Sequence, residues 1–378
     1  MRTIFVPSYH EDVRQMKAAV FRAHDQPYTI EEVTLGELAP NELLIRIVGA
    51  GMCHTDMLLR NPAMAAALAP AILGHEGSGV VEAVGSAVTR AKIGDHVLIS
   101  FDSCGWCSSC LSGLPAYCVE FMARNVTGRR ADGTTSAASA TGETITNRWF
   151  GQSSFAEYSV ATERNIVVVD KDLPLELLGP LGCGLQTGAG SVLNEMQLAP
   201  GQSIAVFGAG AVGLAAVMAA KLSGASEIVV VDLHQSRLEL ALELGATRVV
   251  LGNSEDVRGQ IVGDGPGMNF TFETTAVESV IATAVASLAL RGKAVLVGAG
   301  GGDLTVSPAL LSGRYVTYAL EGSSIPQLFL PQLISYWKQG LFPFEKLVRT
   351  YSLDDINQAE ADSLSGVTIK PVFLVSAV

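Results

Sequence analysis

The stretch SIAVFGAGAVGLAAVMAAKLSGASEIVVVD, residues 203–232, decides the fold of this chain. An apolar run leads into Gly208, Gly210 and Gly213, and a helix-like stretch follows before a second apolar run ends at Asp232. In a β-α-β unit, such glycines permit a tight turn, the approach of a pyrophosphate to the backbone and close packing of the helix. A carboxylate after the second strand binds ribose hydroxyls and repels a 2′-phosphate, so this pattern predicts an NAD site.

Strand-like and helix-like runs continue to alternate on the C-terminal side of this stretch, as in parallel β-α-β folds. We therefore expect an α/β protein, with a doubly wound parallel sheet over residues 185–325 that includes a helix over 277–289. Residues 1–184 carry short β-type runs and predict a β-rich domain, in which 134–141 is a loop. Residues 326–378 contain a helix near 328–339 and end in IKPVFLV, a strand that we expect to return to the first domain.

Composition excludes several classes of function. A net charge of −12 argues against nucleic acid or an anionic membrane as a partner, and 48% hydrophobic with 16% charged residues indicates a compact globular protein. No stretch is long and apolar enough for a membrane span, and the N-terminus does not resemble a secretory signal. We expect a cytoplasmic protein, in which residues 1–15 are an extension or a misassigned start.

Four of the six cysteines lie close together, with the spacing C-x2-C-x2-C-x7-C. This density is typical of one loop that wraps a tetrahedral zinc ion, and disulfides are a poor explanation in a chain of this size. The sequence therefore predicts a structural zinc site at Cys104, Cys107, Cys110 and Cys118.

The other two cysteines and one histidine form a second candidate site. Cys53, His75 and Cys183 each lie in a turn with glycines, in GMCHTD, LGHEG and LGCGLQTG. Two thiolates and an imidazole leave a fourth zinc position open for a substrate, which is the arrangement of a catalytic zinc. An alcohol bound there would lose its proton near neutral pH.

Together, GMCHTD, GHEGSGVVEAVG, the four-cysteine loop, LGCGLQTGAG and GAGAVG resemble the zinc-dependent medium-chain alcohol dehydrogenases. The resemblance runs from Met16 to the end of the chain. It implies a GroES-like catalytic domain, a Rossmann NAD domain, two zinc ions per subunit, and hydride transfer between an alcohol and the nicotinamide. It also implies a homodimer or homotetramer that pairs near residues 315–320.

The resemblance assigns roles to individual residues. It makes Cys53, His75 and Cys183 the catalytic zinc ligands, Thr55 the acceptor of the alcohol proton, Asp56 the partner that orients His75, and Glu76 an acid that tunes the metal. It implies cofactor contacts for the following residues: His54, Thr187, Val212, Arg237, Val297, Ala299 and Lys370. Leu58 stands where many relatives have a proton-relay histidine, so we expect the proton to leave through the ribose and either His54 or water.

Three residues are expected to face the substrate: Trp149, Phe150 and Leu320. Two adjacent bulky rings suit a flat aromatic or allylic alcohol. CHTDMLLR and FGQSSFAEY most resemble the aryl-alcohol (benzyl alcohol) branch, whereas NPAMAAALAP at 61–70 departs from it. The alternatives are a terpenoid-alcohol (geraniol or perillyl alcohol) dehydrogenase, a glutathione-dependent formaldehyde dehydrogenase, a zinc-free quinone reductase and a non-catalytic nucleotide-binding relative.

Overall fold

The computed structural model describes residues 14–300 and 304–377. Most of the expected N-terminal extension, residues 1–13, lies outside the described residues. Arg14 and Gln15 do not fit that expectation, because they begin the first strand and pair with Leu35 and Thr34.

The N-terminal half is built from short strands joined by short helices. Its strands are β1 (Arg14–Phe21), β2 (Thr29–Leu35), β3 (Glu42–Gly51), β4 (Ala71–Ile72), β5 (Glu76–Val84), β6 (His96–Ile99), β7 (Ala137–Ser139), β8 (Thr144–Ile145), β9 (Tyr158–Thr162) and β10 (Ile166–Val169). Its α-helices are α1 (His54–Met57), α2 (Pro62–Leu68), α3 (Ser108–Leu111), α4 (Phe121–Asn125), α5 (Leu175–Leu178) and α6 (Gly184–Gly190). The 3-10 turns are Leu58–Arg60, Pro115–Tyr117, Trp149–Gly151 and Gly179–Gly182, and the π-helical turn Ser191–Met196 follows α6.

These strands form two sheets, as the β-type runs predict. One has the order β4-β1-β2-β7-β8, and the other contains β10, β6, β5 and β3, with β9 also paired to β3. The predicted loop at 134–141 is wrong at its centre, because Ala137–Ser139 pairs with β2. Its small side chains allow Ala137 to be buried against the sheet although the segment shows no apolar alternation.

The cofactor half alternates strands and helices. Its elements are β11 (Ser203–Phe207), α7 (Ala211–Leu222), β12 (Glu227–Asp232), α8 (Gln235–Leu244), β13 (Arg248–Leu251), α9 (Val257–Val262), β14 (Met268–Glu273), α10 (Glu278–Ala286), β15 (Leu288–Leu296) and β16 (Tyr315–Tyr318). All neighbours pair in parallel in the order β13-β12-β11-β14-β15-β16, which confirms the doubly wound sheet. The predicted helix over 277–289 ends early, because Leu288 and Ala289 already belong to β15.

The last segment contains α11 (Pro326–Lys338), β17 (Val348–Ser352), α12 (Ile356–Leu364) and β18 (Lys370–Leu374), with 3-10 turns at Glu321–Ser323, Phe344–Leu347 and Leu353–Asp355. Strand β18 pairs with β17 and, in antiparallel register, with β3, so that Val372 lies opposite Gly51. The C-terminal strand therefore adds to a sheet of the N-terminal half.

Buried apolar side chains form one core within the N-terminal sheets and another between β11, α6, α7 and α11. Helix α7 is buried on nearly every side, which explains its run of Ala, Val, Leu and Met in place of an amphipathic pattern. Within the described residues, no helix combines the length and the apolar character needed to cross a membrane.

Candidate active site

Three loops bring Cys53, His75 and Cys183 together. Cys53 follows β3 and caps α1, His75 directly precedes β5, and Cys183 precedes α6. One ligand atom from each of them lies within 4.8 Å of the other two. His75 Nε2 is buried and has no hydrogen-bond partner, as expected for an atom that binds a metal. Hydrogen bonding with Cys183 lowers the pKa of the Cys53 thiol well below its usual value, despite burial. The donor set fits zinc.

Asp56 organises the ligands around it. Its Oδ1 lies 2.7 Å from His75 Nδ1 and accepts from Gly74 N at 3.1 Å, and its Oδ2 accepts from Cys53 N at 3.0 Å. A proton on His75 Nδ1 that is donated to this carboxylate leaves the lone pair of Nε2 for the metal. Asp56 and His75 are both buried.

Glu76 and Lys370 form a buried ion pair beside these ligands. Lys370 Nζ lies 2.9 and 2.8 Å from the two carboxylate oxygens of Glu76, and Gly184 N donates to Glu76 Oε1 at 3.0 Å. Burial raises the pKa of Glu76 to about 6, although Lys370 acts in the opposite direction. The pair joins β18 to β5, so the returning strand brings a charge to the site.

A cavity of about 440 Å³ extends from the metal ligands to the end of β12. Of the predicted site residues, it is lined by Cys53, His54, Thr55, Phe150, Cys183, Thr187, Gly208, Gly210, Val212, Asp232, Arg237, Val297, Ala299, Leu320 and Lys370. Thr55 Oγ1 lies 3.9 Å from Cys53 Sγ, so its hydroxyl group lies next to the metal-binding atoms.

At the far end, the glycines shape a cradle for a dinucleotide. Gly208 has φ +95°, a conformation that favours glycine, and a Cβ on Gly213 would lie 1.8 Å from Gly208 O. A Cβ on Gly210 would meet nothing within 4 Å, so open space lies beside its backbone. Asp232 Oδ2 accepts from Ala209 N at 2.7 Å and holds this turn next to the cavity. These features fit NAD.

Trp149 and Phe150 pack against each other but contact different residues of the metal site. The Phe150 ring stacks on the His75 ring at 4.6 Å between centroids and lines the cavity. Trp149 is not among the residues that line the cavity; it is 1% exposed, and its Nε1 donates to Asp56 Oδ1 at 3.0 Å. The expectation that Trp149 faces the substrate is therefore corrected. The reason is that the buried indole N–H needs an acceptor, which Asp56 supplies, while the ring of the left-handed Phe150 (φ +50°) packs edge to face on the indole at 5.2 Å and lies over His75.

The four-cysteine loop forms a separate cluster. The sulfur atoms of these four residues all lie within 4.8 Å of one another: Cys104, Cys107, Cys110 and Cys118. The Cys104–Cys110 and Cys107–Cys118 sulfur pairs are 3.9 and 4.0 Å apart. Tetrahedral zinc with arms of about 2.3 Å separates its sulfurs by roughly 3.8 Å, so the cluster fits a structural zinc. All six cysteines are free.

Sequence reasoning missed Glu321, Gln186 and Phe121. Phe121 and Glu321 line the cavity, and Glu321 Oε1 lies 3.9 Å from Cys183 Sγ. Burial raises the pKa of Glu321 to about 7. Gln186 Nε2 donates to Glu321 Oε2 at 3.0 Å. The only signal in the sequence is an acid directly after Leu320, and no motif distinguishes it from a surface acid.

Comparison with known proteins agrees with this geometry. Residues 39–171 match the alcohol dehydrogenase GroES-like domain, and residues 211–335 match the zinc-binding dehydrogenase family. The geraniol dehydrogenase of Castellaniella defragrans is 41% identical over 96% of this chain and 99% of its own length.

Two solved structures resemble the whole chain. The alcohol dehydrogenase zinc-binding domain protein from Burkholderia ambifaria has a TM-score of 0.93 at 45% identity, covering 97% of this chain and 100% of that one. The benzyl alcohol dehydrogenase from Acinetobacter calcoaceticus has a TM-score of 0.92 at 40% identity, covering 96% and 100%. With both family models matched and a relative aligned along almost its full length, the chain belongs to the zinc-dependent medium-chain alcohol dehydrogenases and is an NAD-dependent alcohol oxidoreductase.

Proposed function

We propose that the protein oxidises primary aromatic and allylic alcohols to aldehydes with NAD, and acts as an aryl-alcohol dehydrogenase. The observation that carries this proposal is the stacking of Phe150 on His75, with Phe121 at 6.3 Å from Phe150 in an edge-to-face arrangement. Both rings line the cavity beside the metal ligands. Aromatic rings in this position favour flat, unsaturated substrates.

Relatives support this substrate class. The chain is similar to relatives named for geraniol and for benzyl alcohol, and both of these molecules have a primary hydroxyl on the carbon next to an unsaturated one. The alternative form of this proposal is therefore that the substrates are terpenoid alcohols such as geraniol and perillyl alcohol.

The residues of the site would have different roles in the reaction. Cys53, His75 and Cys183 would hold a zinc ion, which when bound supplies a Lewis acid that lowers the pKa of the substrate hydroxyl. NAD supplies the hydride acceptor. The Thr55 hydroxyl group would accept the substrate proton, which would leave through the ribose hydroxyl and either the exposed His54 or water, because Leu58 cannot relay a proton.

A glutathione adduct is the second enzyme candidate, and the cavity disfavours it. Glutathione carries two carboxylates, which a dedicated site would pair with cations. Among the described residues that line the cavity, the Lys and Arg side chains are Arg237, at the Asp232 end, and Lys370, already paired with Glu76. We therefore favour the apolar alcohol.

The test compares saturated and unsaturated alcohols of similar shape by NADH formation. Benzyl alcohol is paired with cyclohexylmethanol, geraniol with citronellol, and S-hydroxymethylglutathione is added as a competitor class. We expect kcat/KM at least tenfold higher for the unsaturated member of each pair. Higher kcat/KM for the glutathione adduct, or equal values within both pairs, would overturn the proposal.

We also propose a homodimer or a homotetramer. Strand β16 is an edge of the cofactor sheet, and its Tyr315 and Tyr318 are 53% and 47% exposed. Two copies of such an edge can pair about a twofold axis. Analytical ultracentrifugation should give a dimer or a tetramer, and a Val316→Pro variant, which removes an edge donor, should shift it toward monomer. A monomeric wild type would contradict this.

A cytoplasmic location is proposed from the cysteines. All six are free and face two candidate metal sites, a pattern that suits a reducing compartment. Cell fractionation that recovers the activity outside the cytoplasm would contradict this proposal.

A further inference from the structure

The turn before α11 has an unusual backbone. Glu321, Gly322 and Ser323 have φ values of +50°, +63° and +51°, so three successive residues are left-handed although two of them carry side chains. Such a conformation persists only where surrounding contacts hold it, and it is common at functional sites.

Close contacts hold this turn against α6 and the segment after it. A Cβ on Gly190 would lie 2.5 Å from Gly322 O, and a Cβ on Gly322 would lie 2.5 Å from Gln186 O. Ser323 Oγ donates to Glu195 Oε2 at 2.7 Å. The turn is therefore locked in a form that directs the Glu321 side chain into the active-site cavity.

The carboxyl group of Glu321 has no cationic partner. It is buried, and among the residues that the structure describes no Lys, Arg or His side chain forms an ion pair with it. Gln186 Nε2 donates to its Oε2 at 3.0 Å and also to Gly182 O at 2.7 Å, next to Cys183. Burying a carboxylate without a cation is costly unless a positive charge lies close by.

We propose that Glu321 is a positioning residue of the catalytic metal centre, whose negative charge beside Cys183 helps to retain the metal ion. Its Oε1 lies 3.9 Å from Cys183 Sγ, but it does not join the compact group formed by Cys53, His75 and Cys183. It therefore acts from outside the ligand set. This inference rests on the zinc site of the proposed function.

The test measures metal release rather than activity. Zinc is withdrawn from the intact holoenzyme with a chelator, and a colorimetric indicator resolves the two zinc ions by their rates. In Glu321→Gln, which keeps the size of the side chain and removes its charge, we expect the catalytic zinc to leave at least tenfold faster. The four-cysteine zinc should leave at an unchanged rate, and it serves as an internal control.

Cobalt substitution supplies a second readout. The thiolate-to-cobalt absorption band of the Cys53 and Cys183 site should shift in Glu321→Gln. Glu195→Gln is the matched control, because Glu195 contacts the same turn through Ser323 and does not line the cavity. An unchanged release rate and band in Glu321→Gln, or equal changes in Glu195→Gln, would overturn the proposal. Wild-type protein that holds only one zinc would instead contradict the proposed function.

Discussion

The indole Nε1 of Trp149 donates to Asp56 Oδ1 at 3.0 Å, and the same oxygen lies 2.7 Å from His75 Nδ1. The indole ring of Trp149 therefore supports the metal site indirectly. It holds the Asp56 carboxylate, which in turn orients His75. Its burial at 1% exposure is a consequence of this position. A residue that the sequence assigns to the substrate thus supports the metal site.

Replacing Trp149 by Phe removes this hydrogen bond and keeps an aromatic ring. Loss of this buried hydrogen bond to a carboxylate should lower the free energy of unfolding by about 1–3 kcal/mol. Loss of support for the metal ligand should lower kcat/KM by roughly tenfold or more and weaken zinc binding. Urea unfolding, steady-state kinetics and zinc titration measure these three effects.

The matched control is Trp337→Phe, because the Trp337 indole donates to Glu345 Oε2 at 2.8 Å far from the metal ligands. This variant should keep wild-type kcat/KM. Equal losses in the two variants would show that the Trp149 hydrogen bond has no particular effect on the metal site.

Two glycines of the cofactor turn should respond differently to alanine. Gly213→Ala places a Cβ 1.8 Å from Gly208 O and should lower the melting temperature, at a cost of about 1–3 kcal/mol or more. Gly210→Ala meets nothing within 4 Å, so it should keep the wild-type melting temperature. It should nevertheless weaken NADH binding at least tenfold, because the methyl group occupies the space for the pyrophosphate.

Calorimetry and NADH fluorescence titration separate these two effects. If Gly210→Ala binds NADH as tightly as the wild type, the pyrophosphate does not lie against this turn.

Asp232 should determine the preference for NAD over NADP. Asp232→Asn removes the charge and keeps an oxygen that can accept from Ala209 N, which Asp232 now binds at 2.7 Å. The ratio of kcat/KM for NAD to that for NADP should fall at least tenfold, because the repulsion of the 2′-phosphate is lost. Kinetics with both cofactors measure this ratio.

Asp256→Asn is the corresponding control, since Asp256 caps α9 and does not line the cavity. It should leave the ratio unchanged. A ratio that also stays constant in Asp232→Asn would assign the selectivity to another residue.

The effects of replacing Glu76 and Lys370 on the free energy of unfolding should depend strongly on each other. Lys370→Met leaves the Glu76 carboxylate buried without its cation and should lower the free energy of unfolding by about 3–5 kcal/mol. Adding Glu76→Gln removes the uncompensated charge, so the double variant should be more stable than Lys370→Met alone. Urea unfolding of zinc-loaded protein measures Lys370→Met, Glu76→Gln and the double variant. Additive losses would mean that the two side chains do not interact.

The parts of the site that can be predicted from the sequence lie in short, local motifs. Gly208 and Asp232 are read from one β-α-β unit, and the zinc ligands from short glycine-flanked motifs. Glu321 and the contact of Trp149 with Asp56 could not be predicted in this way, because both lie in turns that contain a left-handed residue, at 321 and at 150. Nothing in the residue types at those two positions indicates a positive φ, which tertiary contacts impose.

The pairing of β18 with β3 has a consequence for biosynthesis. The sheet that contains Glu76 and leads into Cys53 gains its neighbouring strand and Lys370 only after the ribosome has made residues 370–374. The two partners of this ladder are separated by most of the polypeptide, and closing so long a loop is slow. The nucleotide-binding half, by contrast, can assemble from neighbours in the chain, so the nascent protein should acquire its cofactor cradle before its metal centre.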